Sequence, residues 1–288
     1  MTRDRDLLVE NLTLGYHEGV VIDSLDLVVP PGRITAIVGA NASGKSTLLR
    51  SMSRLLTPRG GQVLLDGKAV HGMPPKELAR ILGLLPQSPV APEGITVADL
   101  VGRGRHPHQR LMARWSRADE EAVAEALVAT DTVELVERPV DELSGGQRQR
   151  VWIAMALAQR TDILLLDEPT TFLDVSHQVE VLDLLTDLNR ERGTTIVMVL
   201  HDLNLAARYC EQLVALAGGR LYTAGPPADV LTPEMVRSVF GLRSEVIVDP
   251  ISAKPLVLPR GRYHDVPDID SRDPVADLPG RRHVPSSA

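Results

Sequence analysis

Between residues 7 and 30 apolar and polar side chains alternate: Leu7, Val9, Leu12 and Leu14, then Val21, Leu25, Leu27 and Val29. That period predicts antiparallel, half-buried strands, closed off by Pro30-Pro31-Gly32. Residues 34–38 form instead a short continuous apolar run, the pattern of a strand buried on both faces. The run leads through a Gly-rich turn into a helix-prone stretch at 46–56. The same order returns twice, with an apolar run at 163–166 before a helical pattern at 175–192, and one at 196–200 before another at about 202–209. Parallel strands joined by crossover helices follow from that rhythm. Between them, residues 94–160 carry no strand pattern. The spacing of Val97, Leu100 and Val101, of Val123, Leu127 and Val128, and of Val151, Met155 and Ala158 fits a helical insertion. The fold class is therefore α/β, with a mostly parallel sheet core, an antiparallel β subdomain and a helical insertion at about 94–160.

Composition narrows the picture. The 288 residues suffice for one large domain, and 43% apolar with 24% charged residues is the balance of an ordinary folded protein. The longest apolar run, 151–158, is far short of the roughly 20 residues that cross a bilayer. The charged amino terminus lacks a signal-peptide pattern. A net charge of −7 argues against nucleic acid as a partner. The lone Cys210 makes no internal disulfide or thiolate metal site, which suits a reducing compartment, and reads as a small buried apolar group. After Tyr263 the character changes: residues 264–288 hold five Asp, four Pro and three Arg but no aromatic. The expectation is a folded unit over 1–263 and a disordered tail over 264–288.

Two motifs carry chemistry. Gly39-Ala40-Asn41-Ala42-Ser43-Gly44-Lys45-Ser46-Thr47 matches the phosphate-loop pattern G-x-x-x-x-G-K-[ST] and lies between a buried strand and a helix, where the mechanism needs it. Backbone N–H groups of such a loop point at phosphates, Lys45 reaches the β and γ phosphates, and Ser46 offers a hydroxyl to Mg²⁺. Ala42 stands where glycine is common, a departure of small expected cost. Asp167 and Glu168 end the run 163–166, at the sheet edge where α/β proteins bind ligands. Asp167 suits the Mg²⁺ shell, and Glu168 is placed to polarise a water attacking the γ phosphate. Ser144, Gly145, Gly146 and Gln147 open the apolar helix near Val151. Read alone, they are equally a plain capped helix start and a helix start that binds an anion.

Ser144-Gly145-Gly146-Gln147, after a helical insertion and ahead of Asp167, resembles the signature motif of the ABC family, in which it reads the γ phosphate of ATP held by the other subunit. The resemblance extends over roughly residues 5–258 and gives roles to residues that are otherwise ordinary. Tyr16, by itself an edge-packing side chain, matches the aromatic that stacks on adenine. Gln87, otherwise a solvated loop residue, matches the Q-loop glutamine that meets Mg²⁺ or the lytic water. Asp174, in Thr171-Phe172-Leu173-Asp174, matches the D-loop aspartate. His201, by itself a strand-end histidine of structural type, matches the switch histidine that bonds the γ phosphate. His106, His108, His177 and His264 receive no functional role.

Within the family, Gly102-Arg103-Gly104-Arg105-His106-Pro107-His108, the stretch 168–174, and the segments 241–250 and 255–259 resemble ATPases of ferric-siderophore importers, with vitamin B12 and haem importers close by. The resemblance implies an ATP-hydrolysing subunit that uses ATP and Mg²⁺, pairs head to tail as a homodimer, and drives separate membrane permease subunits fed by a solute-binding protein. It implies a peripheral position at the cytoplasmic face of the membrane. A soluble ABC ATPase acting on DNA or ribosomes is disfavoured by the negative charge, the single nucleotide unit and the lack of a heptad arm. A small-molecule kinase or GTPase has no use for the Ser144 motif.

Overall fold

A computed structural model describes residues 4–17, 19–109, 115–171 and 173–261; the expected tail, 264–288, lies outside the described residues. The chain opens with β1 (Leu7–Tyr16), β2 (Gly19–Val29), β3 (Ile34–Gly39), α1 (Lys45–Met52), β4 (Gly60–Leu65), β5 (Lys68–Ala69), α2 (Pro75–Ile81) and β6 (Leu82–Leu85). The insertion contributes α3 (Val97–Arg103), α4 (Arg117–Ala129) and α5 (Gly145–Ala158). Then come β7 (Ile163–Asp167), α6 (Val175–Arg192), β8 (Thr195–Val199), α7 (Leu203–Tyr209), β9 (Gln212–Ala217) and β10 (Arg220–Gly225). The described chain closes with α8 (Pro227–Val230), α9 (Pro233–Phe240), β11 (Ser244–Val248) and β12 (Pro255–Pro259).

The central sheet has the order β10-β9-β3-β8-β7-β6, parallel throughout except for the β9–β10 pair. A second, antiparallel sheet has the order β2-β1-β4-β5, and β11 pairs with β12 as a hairpin. The mixed architecture expected from the period-2 and continuous apolar segments is present.

All residues of β3, β7 and β8 are buried because both faces of the sheet are covered. Their side chains divide strictly by parity. Ile34, Ala36, Val38, Leu164, Leu166, Ile196 and Met198 join a core built with the helical insertion and α6. Ile37, Ile163, Leu165, Val197 and Val199 join a second core with the antiparallel sheet and α1. A residue-by-residue alternation inside an unbroken apolar run is what a two-faced strand produces.

The insertion is helical as expected, and the residues flanking it show why it packs closely. Ser116 and Asp119 cap α4 reciprocally, and Arg105 pairs with Asp119 at 2.9 Å with both side chains 8% exposed. Arg105 also donates to Ala158 O at 2.8 Å, tying the start of α4 to the end of α5. A Cβ on Gly104 would stand 2.4 Å from Met155 O, so only glycine lets α3 approach α5 this closely. One expectation needs correction. The first helix ends at Met52 rather than 56, because Arg54 takes a left-handed φ of 68 and the Leu55 and Leu56 amides turn back onto Arg50 O. No glycine marks that stop.

Candidate functional site

Four chain segments converge at the carboxyl ends of the parallel strands. β3 delivers the loop 39–44, and α1 begins at Lys45. Inside the loop Ser43 N–H donates to Ala40 O at 3.2 Å, while the Ser43 hydroxyl is buried without a partner. Ala42 has φ 62, the left-handed conformation glycine adopts freely, so the small expected cost of its alanine amounts to something on the order of 1–2 kcal/mol. Lys45 Nζ donates to Gly39 O at 2.9 Å and Ala40 O at 3.0 Å, closing the loop on itself. Burial pushes the Lys45 ammonium below its ordinary range, against the pull of Glu168 and Asp167. Asn41 and Ala42 face solvent at the loop tip, and Thr47 is buried in the first turn of α1.

Ser46 Oγ donates to Asp167 Oδ1 at 2.9 Å, bringing the helix start and the end of β7 together. Burial raises the Asp167 carboxyl, the Ser46 hydrogen bond opposes this, and the neighbouring Glu168 charge adds to the rise. Glu168 is placed differently. Its backbone is left-handed at φ 55, and its carboxylate has partners of its own. Glu168 Oε1 lies 2.5 Å from His201 Nε2, and Oε2 accepts from Thr171 Oγ1 at 3.0 Å. Burial alone would raise this carboxyl as well, but hydrogen bonds from His201, Thr171 and Gln87 hold it below the usual range. The adjacent carboxylates therefore have opposite tendencies, one buried beside a hydroxyl and the other ionised among donors.

Hard oxygen donors from Ser46 and Asp167, with the unpartnered Ser43 hydroxyl nearby, fit Mg²⁺ on a phosphate chain. His201 lies two residues beyond the end of β8, and Asp202 behind it caps α7 by accepting from the Asn204 and Leu205 amides.

The remaining expected residues lie apart from this cluster. Tyr16, at the end of β1, is 41% exposed and accepts a 3.3 Å hydrogen bond from Arg50 Nη1. Ser144 caps α5 by accepting from Gln147 N, and Gln147 Oε1 accepts from Ser144 N, so both side chains are committed to the cap. The N–H groups of Gly145 and Gly146 begin the helix without intrahelical partners. Ser144 makes no hydrogen bond to the loop or to the carboxylates among the described residues. Asp174 caps α6, and the amide of His177, the Ser176 hydroxyl and the His177 ring hold its carboxyl down to about 2. His177 is thus a capping partner, and His108 bonds Gln159 O at 2.7 Å.

Thr171 was not anticipated at this site. Its signal was a hydroxyl three residues beyond a carboxylate, the spacing of a local side-chain hydrogen bond across a turn. Arg50 was missed too; from the last turn of α1 its positive charge draws the Asp167 carboxyl down.

Residues 22–171 match the model of the family described as ABC transporter. The chain is 53% identical over 253 residues to the ferric enterobactin transport ATP-binding protein FepC of Escherichia coli (strain K12), covering 88% of this chain and 93% of that one. It is 52% identical over 256 residues to the petrobactin import ATP-binding protein FpuD of Bacillus anthracis, covering 89% and 94%. Among solved structures it resembles a dimeric ATP-binding cassette in a post-hydrolysis state bound to ADP and Pi, with TM-score 0.69, 28% identity, and coverage of 76% and 98%.

Proposed function

Because this chain belongs to the ABC transporter family, we propose that it is the ATP-hydrolysing subunit of an importer that takes up a ferric siderophore through separate membrane subunits. The observation that carries the catalytic part is the Glu168 carboxylate, ionised and held by Thr171, His201 and Gln87 beside the Ser46–Asp167 pair. The siderophore assignment is supported by the likeness to FepC and FpuD.

In this reading the loop N–H groups and Lys45 hold the β and γ phosphates, with Lys45 exchanging its two carbonyl partners for phosphate oxygens. Ser46, Asp167 and Gln87 would hold Mg²⁺, which supplies charge neutralisation across the β and γ phosphates. Glu168 accepts the proton of the attacking water, and His201 contacts the γ phosphate while orienting that carboxylate. Tyr16 offers its exposed ring to the adenine. Ser144, Gly145, Gly146 and Gln147 present the α5 N-terminus, with Asp174 at the α6 start, to the nucleotide of a second, head-to-tail copy.

No helix among the described residues is long and apolar enough to cross a membrane, so attachment at the cytoplasmic face falls to the permease subunits. A groove of about 700 Å³ lined in part by Leu55, His71, Leu78, Leu82 and Leu84 lies along β6, the strand that leads to Gln87. It is the surface we assign to that contact. A solute-binding protein would deliver the siderophore to the permease from the other side.

The test joins chemistry to assembly. Glu168→Gln keeps size and hydrogen-bonding reach but removes the proton acceptor, so hydrolysis should fall by at least about a hundredfold while MgATP still binds. That variant should elute as an ATP-dependent dimer, and adding Ser144→Arg should abolish the dimer. Hydrolysis by Glu168→Gln at the parental rate would refute the catalytic role. In cells lacking the protein and any paralogue, normal uptake of ferric siderophore would refute the substrate.

A further inference from the structure

Helix α5 is apolar along its buried length, with Val151, Trp152, Ile153, Ala154, Ala156 and Ala158 in the core. Just before that run it buries a primary amide: Gln149 is 9% exposed. A polar group removed from water is retained when it is satisfied by a specific partner. Here Gln149 Nε2 donates to Pro169 O at 2.9 Å, across twenty residues of sequence. Pro169 directly follows Glu168, the residue held at φ 55 at the end of β7. A strained conformation of this kind persists where its surroundings over-determine it, and the turn is gripped on both sides. On the far side the Thr171 amide donates to Glu168 O at 3.2 Å and the Thr171 hydroxyl to Glu168 Oε2. On the near side the hold is Gln149. Among the described residues the amide makes no hydrogen bond to the Glu168 carboxylate or to the phosphate loop, so its influence on chemistry passes through the backbone.

We propose that Gln149 is a positioning residue for ATP hydrolysis: its amide fixes the Glu168-Pro169 turn from inside the helical insertion and so aims the Glu168 carboxylate. The proposal rests on Glu168 being the proton acceptor. A misaimed base slows the chemical step and leaves nucleotide binding alone, which separates this role from general support of the fold.

The experiment uses the full chain with MgATP and two variants that lack the donor. Gln149→Met keeps the length of the side chain, and Gln149→Leu keeps most of its volume, so a folding failure of one leaves the other. The expected result is a fall in kcat of about tenfold or more, with KM and the Kd for a fluorescent ATP analogue close to the parental values and a melting temperature lowered by only a few degrees, since Pro169 O loses its donor. Placed on the Glu168→Gln background, Gln149→Met should cause no further loss of residual single-turnover hydrolysis, because both changes remove the same contribution. Parental kcat in both donor-less variants overturns the proposal. So does a rise in KM at constant kcat, or a further tenfold loss on the Glu168→Gln background, which would place the action of Gln149 elsewhere. Parental turnover in Glu168→Gln alone would overturn the base assignment itself, an outcome read before Gln149 is changed.

Discussion

Replacing Gly44 by alanine separates two physical penalties that are usually confounded. Gly44 precedes α1 with φ 100 and ψ 5. An L side chain forced into positive φ costs roughly 1–2 kcal/mol. The added Cβ would also stand 2.5 Å from Ile22 Cδ1 and 3.2 Å from Ile22 Cγ1. Ile22 is fully buried against β1 and α1 and has no solvent to swing into, so the overlap should cost roughly a further 1–3 kcal/mol. The sum predicts a loss of about 2–5 kcal/mol for Gly44→Ala. Ile22→Val deletes Cδ1, the nearest atom, at a cost of its own of roughly 0.5–1.5 kcal/mol. In the double variant the overlap largely disappears while the backbone strain stays, so the two changes should couple favourably by on the order of 1–3 kcal/mol. Urea denaturation of the single and double variants measures that coupling. Nucleotide binding should remain weakened in the double variant, because the loop N–H groups are aimed by the backbone and not by Ile22. Additive stabilities, or a Gly44→Ala protein of parental stability, would refute the reasoning.

Lys45→Ala removes the one side-chain cation of the loop, and at about 1.5–3 kcal/mol for a charge-assisted hydrogen bond the Kd for MgATP should rise roughly 10- to 150-fold; an unchanged titration would take Lys45 out of the site. Arg105→Met should destabilise by roughly 3–5 kcal/mol, since the buried Asp119 charge keeps only its capping bonds to Ser116, while Arg105→Met with Asp119→Leu should recover part of that in thermal melts, less the roughly 0.5–2 kcal/mol of the lost cap. Equal losses in the single and double variants would contradict the account. The Ser252 hydroxyl, the Ile251 amide and Arg208 hold the Asp249 carboxyl down to about 2 from an ordinary 3.8. A depressed carboxylate stabilises above its unfolded value and loses that contribution as pH falls through the folded one, so the 244–259 hairpin should loosen between about pH 4 and pH 2. Hydrogen exchange at Val257 N–H, which donates to Asn204 Oδ1, reports on it; the Asp249→Asn variant should be loose at neutral pH already, and matching parental protection there would count against the idea.

What the sequence carried was the chemistry whose residues are adjacent. The phosphate loop, the Asp167-Glu168 pair and the Ser144 cap are local patterns, and each folds into the expected local shape. His201 and Gln87 come from distant strands, and only the resemblance named them. The structure then brings both onto Glu168 because β6, β7 and β8 are neighbours in one sheet. Strand order of this kind is decided by long-range packing and leaves no mark on periodicity. The hairpin β11–β12 was invisible for a related reason: its half-buried positions follow no clean alternation, and its hold on α7 runs through Asn204 and Arg208, far away in sequence. The left-handed φ of Arg54 and Glu168 could not be foreseen either, since glycine is the residue that advertises it, and at Ala42 the one hint was that glycine is common there. The motif 102–108 was legible as a family mark, yet its Gly104 and Arg105 serve close helix packing and a buried ion pair.

The parity split of β3, β7 and β8 has an evolutionary consequence. A layer one residue thick divides the interior into two compartments that share backbones and no side chains. Substitutions that repack the helical insertion need compensation from even-numbered positions such as Leu164, Leu166 and Met198, and leave odd-numbered Leu165, Val197 and Val199 untouched. The core under the phosphate loop and α1 can therefore stay constant while the core under the insertion drifts, and a lineage of such subunits is free to vary one compartment without rebuilding the other.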